Sequence, residues 1–522
     1  MDSLPVVDMP WPPVALANVT PALDSWSAWY AGNPAALSAH YQRQAGSGWS
    51  RRGGLAGAVS RFFWGQTQTV GQPRTKLHVP IAADIATASA DLLFAEDVKL
   101  NTPEGMADAD RARFDDVLEG IGWANILLES AEVAAALGGS YLRTGWDKTV
   151  ADHPLVTVLH ADQAWPEFRY GRLQAVTFWQ VVRSDDTKVW RHLERHGRGF
   201  VEHGLYEGTP DKLGRQVSLL ESEVTAGIGV DEYARVATGF DGLTVAYLPN
   251  MKPNRQWRTD PVGRDLGRSD FAGVEPLMDA LDETYTSWMR DLRLGKARIL
   301  VPDYMLKAPV DSYGRPKPGG GLSVDLEQEV YAGLNMLPSE DGKSQITMQQ
   351  FAIRTQEHAS TATALLSAIL RGAGYSAQTF GLAEDADRGD RTATEVTARE
   401  RRSGTTREKK TRYAGTAMTE CLRAVTAIDR VVFGKGPGEI VVKPEFPAAS
   451  MPSQRELAES AQLLRTAQAA STKTLVQMVH PEWEVDQIDA EVILIRGEQA
   501  MDVPDPDARF PTEPVDDDPR NN

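Results

Sequence analysis

Three groups of side chains in this 522-residue chain have the types and spacing for chemistry. The first is Glu384, Asp385, Asp387, Arg388, Asp390 and Arg391, acidic by a net two. On the residues alone it reads as a solvated loop. The second is His192, His196 and His203, which invite a metal reading. In a hairpin, 192 and 196 face the same way two strand repeats apart, too far for shared ligation without a bulge. No carboxylate partner is fixed by the spacing, so no metal site is expected. The third is Arg399–Arg412, where Arg399, Arg401, Arg402, Arg407, Lys409, Lys410 and Arg412 face only Glu400 and Glu408. Such a basic run contacts nucleic acid or an acidic neighbouring subunit, or it is a solvated helix with ion pairs four residues apart, such as Glu408 with Arg412. The stretch has no large apolar residue before Tyr413, so a core is not expected to hold it. Arg399, Arg402, Lys409 and Arg412 are therefore assigned an intersubunit or solvated role ahead of nucleic-acid contact.

Enzymatic signatures are missing from the sequence. Gly434-Lys-Gly-Pro-Gly438 lacks the GxxxxGK[ST] spacing of a phosphate-binding loop and reads as a turn. No G-x-S-x-G elbow occurs. A single cysteine, Cys421, rules out an internal disulfide and a cysteine-based zinc site. It sits in a helical pattern as a small core residue, and it fits a reducing interior. The expectation is a protein with no catalytic residues and no cofactor.

Bulk composition narrows the class further. With 72 acids against 55 bases the net charge is −17. Such a surface does not attract nucleic acid by bulk electrostatics. The N-terminus has no basic run followed by an apolar core, so no signal peptide is expected. The most apolar window, Ile126–Leu142, is interrupted by Glu129 and Glu132, so no membrane span is expected. The length suggests three or four structural units.

The elements that must position these residues follow from periodicity. Asp270–Lys296 has Val274, Leu277, Leu281, Tyr285, Trp288 and Leu292 on one helical stripe. Its acids come early and its bases late, matching the helix macrodipole. From Gly273 to Lys296 it would run ~36 Å. Ala352–Arg371 is a second helix rich in Ala, Ser and Thr, suited to close packing against a neighbour. Between them lies a short strand-rich insert, with strands at Arg298–Pro302 and Gln345–Gln350 around the turn Asp311–Gly321. A helical pair carrying an insert at its tip is a stalk, which suggests an assembly part.

Elsewhere, residues 44–74 read as a mobile loop. Val79–Phe94, Asp110–Leu118 and Ala124–Leu137 read as helices, the last stopped by Gly138-Gly139. Tyr141–Trp146, Val156–His160, Gln174–Arg183, Lys188–His196 and Phe200–Tyr206 read as strands, with turns at Asp185-Asp186 and Gly197-Arg198-Gly199. Asn250–Arg268 reads as a linker. Thr392-Ala-Thr-Glu395 is a capping box that opens a helix to about Phe433, with bends expected at Gly404 and Gly415. Glu439–Val442 reads as a strand. Helices from Ser453 to about Ala470 and from Pro481 to about Glu498 precede an acidic, Pro-rich tail expected to be disordered. Trp11 and Trp49, in loops, are candidates for docking onto partners.

From about Trp26 to Gly497 the chain resembles the portal proteins of long-tailed double-stranded DNA phages. The order and spacing of Lys76–Lys99, Gly138–Asp147, Trp190–Gly208, Arg268–Pro302, Tyr375–Leu382 and Arg391–Arg412 carry the resemblance. It implies an α+β, mainly helical fold with a wing, a two-helix stem, a small α/β clip and a helical C-terminal crown, assembled as a ring. The N-terminal part and wing would occupy 1–269, the stem 270–297 and 352–372, the clip 298–351, and the channel loop 373–391. A long wing helix and return strand would occupy 392–452, the crown 453–500 and the acidic tail 501–522. Arg298, Lys307, Arg315 and Lys317 become clip residues for motor docking. Glu384, Asp385, Asp387, Arg388, Asp390 and Arg391 become channel-loop residues.

The resemblance implies a homo-oligomer of about twelve subunits at one capsid vertex of the virion, assembled in the host cytoplasm. Double-stranded DNA would pass through without sequence specificity during packaging and ejection. The other partners would be the terminase large subunit, the head-tail adaptor, and the major capsid and scaffolding proteins, with no membrane. A ring of this chain would carry roughly −200 in total, and only charges within about 8 Å act strongly on the duplex. An acidic lining would then keep a translocating polyanion from sticking. The alternatives are a packaging enzyme of the terminase type, an ATPase or nuclease, and another virion shell or adaptor protein.

Overall fold

A computed structural model describes residues 3–37, 77–294, 298–302, 332–334, 347–349, 354–382, 393–447, 454–480, 483 and 485–501. The chain divides into two compact units, residues 1–385 with 399–449, and residues 386–398 with 450–522. The 44–74 loop, Trp49 and the tail from Asp502 lie outside the described residues.

The first unit is built around two helices. Helix α1 spans Thr20–Ala31 and α2 spans Ile81–Phe94. Residues Ile81, Ala82, Ile85, Ala86, Ser89, Ala90, Leu93 and Phe94 of α2 are buried, the three-to-four spacing of one helical face. Many of them are small, so α2 packs closely on a later helix, α4 (Trp123–Leu137). That helix is itself buried along most of its length, including Val133, Ala134, Ala135, Ala136 and Leu137. Between them come strand β1 (Lys99–Asn101) and α3 (Asp108–Ile121). Gly138 ends α4 at φ +81°, and a Cβ there would lie 2.8 Å from the Gly267 carbonyl oxygen. Glycine is therefore required both by conformation and by space.

Two antiparallel sheets follow. Strands β2 (Gly139–Gly145) and β3 (Leu155–His160) pair with each other, and β10 (Val245–Pro249) adds to the other edge of β2. The larger sheet runs β4 (Ala164–Arg169), β5 (Arg172–Ser184), β6 (Val189–Gly197), β7 (Phe200–Thr209), β8 (Lys212–Val217), with β9 (Arg235–Ala237) also pairing β7. Both expected hairpin turns form. Asp185 Oδ1 accepts from the backbone N–H of Thr187 (2.9 Å) and Lys188 (2.7 Å). Gly199, at φ +82°, sits in the turn between β6 and β7.

Three expectations need correction. Trp11 is buried, with its ring edge-on to Trp179 at 5.2 Å, so it is core rather than a docking side chain. Asn250–Arg268 is a packed loop rather than a linker: Met251, Trp257 and Leu266 are buried, and Asn254 Nδ2 donates to the Gly267 carbonyl (2.8 Å). The return strand is β14 (Lys443–Glu445), not Glu439–Val442, because β1 pairs in the register Leu100↔Pro444 while Val442 is buried just before the strand.

The long helices are α5 (Glu275–Leu294), α6 (Thr355–Ala373) and α7 (Ala393–Ile428). Between α5 and α6 a small sheet has the order β12 (Ala332–Leu334), β11 (Arg298–Pro302), β13 (Thr347–Gln349), parallel on one side and antiparallel on the other. Helix α5 begins five residues later than the periodicity suggests, since Gly273 takes φ +87° and its N–H is capped by Glu275 Oε2 (2.6 Å). Helix α7 runs through Gly404 and Gly415 as one element, continues as a π-helical turn at Asp429–Phe433, and stops at Gly434 with φ +69°.

The second unit contains α8 (Gln454–Thr466), α9 (Thr472–Val479) and α10 (Val485–Met501). Ser471 caps α9 by accepting from Thr474 N–H. Val476, Ile488 and Val492 form its small core, beside the stacked rings of His480 and Trp483.

Candidate functional site

The site is the place where the two long helices α5 and α6 meet the rest of the first unit. Asp270, just before α5, and Tyr375, just after α6, converge there with Lys410 of α7 and Ser89 of α2. Lys410 Nζ forms an ion pair with Asp270 Oδ2 and also donates to Ser89 Oγ (2.6 Å) and Tyr375 Oη (3.0 Å). The Tyr375 hydroxyl donates to Asp270 Oδ2 (2.7 Å), and Asn250 Nδ2 donates to Asp270 Oδ1 (2.8 Å). The side chains of Lys410 and Asp270 are 3% and 1% exposed. Burial pushes the Lys410 ammonium below its ordinary range, and the Asp270 carboxylate works against that shift. Burial, with the Asp270 charge beside it, pushes the Tyr375 hydroxyl well up. A buried pair with every partner in place adds little net stability, yet removing one member leaves a bare charge. Its effect is to specify one geometry for the joint.

More polar contacts hold the same joint. Ser403 Oγ accepts from Ser376 N–H (2.9 Å), and Thr406 Oγ1 donates to the Gly374 carbonyl (2.7 Å). Arg407 donates through Nη2 to the Pro447 carbonyl (2.8 Å) and through Nε to that of Leu92. Farther along α5, Asp282 receives Val79 N–H (2.9 Å) and bonds His78 Nδ1 (2.8 Å).

The basic run is thus split by the helix. Lys410 and Arg407 are buried, together with Ser403 and Thr406, so a polar core does hold a stretch expected to lack one. Arg402, Lys409 and Arg412 stay exposed. Arg402 Nη2 donates to the Arg371 carbonyl at the end of α6. Arg399 lies within α7. The sequence signal for the buried members was available: 403, 406, 407 and 410 recur every three or four residues, a helical face written in polar side chains.

Other candidate residues fall elsewhere. Glu384, Asp385, Asp387, Arg388, Asp390 and Arg391 lie outside the described residues, as do Lys307, Arg315 and Lys317. Arg298 opens β11, paired with Gln349 of β13. The histidines do not form a metal cage; among the described residues no cluster of three or more ligating side chains exists. Instead His192 and His203 stack with Nε2 and Nδ1 3.2 Å apart, and His196 bridges Glu194 (2.8 Å) and Thr244 (2.7 Å). Burial holds the His203 pKa down to about 4.

Burial fades along the helical pair. Met278, Leu281 and Asp282 are the last buried side chains of α5 among the described residues, while Met289 and Leu292 are exposed. On α6, Ile369, Leu370 and Ala373 are buried at the base and only Ala362 farther out, whereas Ala359, Ser360, Thr361, Thr363, Ala364 and Ser367 are exposed among the described residues. Between these ends the pair is held by the stacked rings of Trp288 and His358 and by Asp291, which binds His358 Nε2 and Arg354 Nη2, each at 3.0 Å.

A helical pair anchored by a buried polar joint, with a small sheet between its two helices, is scaffold architecture. The chain belongs to the SPP1 Gp6-like family of phage portal proteins, whose model matches residues 17–505. Its place is therefore the capsid vertex, and its family is a structural part of the virion. Among curated proteins, no sequence matches significantly. Among solved structures the chain is similar to a chain in the virion of a native gene transfer agent particle (14% identity, TM-score 0.36, covering 81% of this chain and 99% of that one). It is also similar to chains in the neck of the empty particle computed with C6 symmetry (13%, 0.38, 81% and 99%) and in the neck of the native particle computed with C12 symmetry (15%, 0.34, 82% and 99%).

Proposed function

We propose that about twelve copies of this chain close into a ring by head-to-tail contacts, and that double-stranded DNA passes through its centre during packaging and ejection. The carrying observation is the α5–α6 pair: buried and bolted at its base, and flanked toward its far end by exposed small residues on α6 and by exposed Met289 and Leu292 on α5. Side-by-side copies would cover those flanks, and the small side chains would let neighbouring helices approach closely. In this reading 270–297 and 352–372, which carry α5 and α6, are the stem, 298–351 the clip, 392–452 the wing helix with its return strand, and 453–500 the crown.

The segment 373–391 then becomes the channel loop, with Glu384, Asp385, Asp387 and Asp390 supplying negative charge toward the duplex and Arg388 and Arg391 moderating it. Carboxylates within about 8 Å of the phosphates repel them and keep the bore from gripping the DNA. The clip, through Arg298, Lys307, Arg315 and Lys317, docks the terminase large subunit and afterwards the head-tail adaptor. Capsid and scaffolding proteins meet the ring from outside. No step requires a catalytic residue or a cofactor in this chain. The assembled ring resides in the virion after assembly in the host cytoplasm.

The test is packaging with a charge-reversed loop. Glu384→Lys combined with Asp385→Lys is expected to leave ring assembly intact and to slow DNA packaging. Unchanged packaging by an assembled variant ring would remove these residues from the mechanism.

A further inference from the structure

Two patches of opposite charge lie on opposite sides of α7. The first is a cleft of about 420 Å³ between the β4–β5 turn, β10 and α7. Arg172, Arg198 and Lys252 line it, against Asp241 and Glu420, while a further lining residue, Arg423, is already paired with Glu439. In a chain of net charge −17 this is a concave basic site. Lys252 is half-buried, its ammonium 5.7 Å from the centre of the Phe168 ring and 6.0 Å from that of Tyr247. Among the described residues no carboxylate forms a salt bridge with it; burial holds its pKa down, and the charge of nearby Asp265 only partly offsets that. A partly desolvated cation in that setting gains from an incoming carboxylate. The cleft also borders an open strand edge. Thr244 bonds Thr144 of β2 and Asn250 bonds Gly138 just before it, so Val245 and Tyr247 turn their backbone groups the other way, where no strand among the described residues pairs with them.

The second patch is the outer face of α3. Asp108, Asp115, Asp116 and Glu119 are exposed there, with Arg111 the one base among them. The inner face is fixed to α7: Phe114 and Val117 share a core with Met418, Leu422 and Val425, and Arg113 clamps Asp429 (2.7 and 3.0 Å). At 3.6 residues per turn, Leu422 points a third to half a turn away from the cleft-lining Tyr413, Thr416 and Glu420. The cleft and the acidic face therefore look outward on opposite flanks of one helix. Head-to-tail contacts require this arrangement, since each interface joins two different patches and the next copy repeats the step.

We propose that the acidic face of α3 on one copy docks into the Arg172–Arg198–Lys252 cleft of the next copy. The proposal rests on the ring reading and assigns its heterologous contact. Charge pairing of this kind sets register and suppresses wrong partners.

The test uses the full chain with two charge-reversed variants, Arg172→Glu with Arg198→Glu, and Asp115→Lys with Glu119→Lys. All four side chains are exposed, so the thermal melt of each variant is expected to match the parent's. Each variant alone is expected to raise the concentration for half-assembly by roughly tenfold or more. An equimolar mixture restores both complementary contacts and is expected to recover rings of alternating copies. A second measurement pairs Arg198→Cys with Glu119→Cys; oxidation should give a ladder of cross-linked copies, with buried Cys421 silent. Variants that assemble like the parent, or singles whose defect the mixture does not repair together with no cross-linked ladder, would overturn the contact. A parent chain that forms no ring at all would instead overturn the ring reading.

Discussion

Replacing Lys410 by Met tests the claim that a buried ion pair specifies the joint beneath the helical pair. The substitution keeps most of the side-chain volume and removes the cation, leaving the Asp270 carboxylate 1% exposed. Asp270 keeps two donors, Tyr375 Oη at 2.7 Å and Asn250 Nδ2 at 2.8 Å. Those two neutral hydrogen bonds do not replace a full positive charge in contact, and breaking a buried pair from one side costs about 3–5 kcal/mol. Ser89 Oγ and Tyr375 Oη also lose a partner, which places the expectation near the upper end. The double variant Lys410→Met with Asp270→Asn removes both charges, and here the expected loss falls to roughly 0–2 kcal/mol. The coupling between the two sites is then at least about 2 kcal/mol. Urea denaturation followed by tryptophan fluorescence, at one protein concentration, measures all four corners of the cycle. A single-variant loss under about 1 kcal/mol, or additive losses in the double variant, would refute the reasoning.

Deleting residues 312–320 is expected to leave the ring intact and to weaken binding of the terminase large subunit at least about tenfold; unchanged binding in a pull-down titration would sink the clip assignment. Acid stability should report His203, whose pKa is about 4 in the fold against 6.5 for the free side chain. The unfolded chain binds that proton first as pH falls, so stability is full above about pH 6.5 and declines toward pH 4 by up to about 3 kcal/mol. The neighbouring Glu194, held well below its ordinary range by His196 and Arg143 against the opposing effect of burial, loses its contribution only below about pH 4.5. His203→Leu should therefore make the curve shallower between pH 4.5 and 6.5, with the buried His192, also held below its ordinary range, keeping its own share, and an unchanged curve would contradict the assignment.

The helices and hairpins were legible because local rules dominate them. The α2 and α4 stripes, the Asp185 and Gly199 turns and the α6 segment each follow from periodicity or turn chemistry within a dozen residues. What escaped depends on partners far along the chain. β10 is short and pairs with β2, some hundred residues earlier, so its sequence carries no local signature. The shift from Glu439–Val442 to β14 was set by β1, more than three hundred residues away. In the site itself, Asp270 reads as the first residue of a helical stretch and Lys410 as one base in an intersubunit or solvated run. Their pairing across 140 residues appears only when α5, α6 and α7 are brought together. Arg402, Lys409 and Arg412 are exposed, the placement that composition suggests for a charged run.

The most direct test of the account is the mass and outline of the purified full-length chain, measured by mass photometry with electron micrographs of the same sample. The account predicts annular particles with a central opening and a mass of about 0.7 MDa, some twelve times the 57.1 kDa chain. Single 57.1 kDa subunits persisting at high concentration, with no opening in any particle, would contradict it.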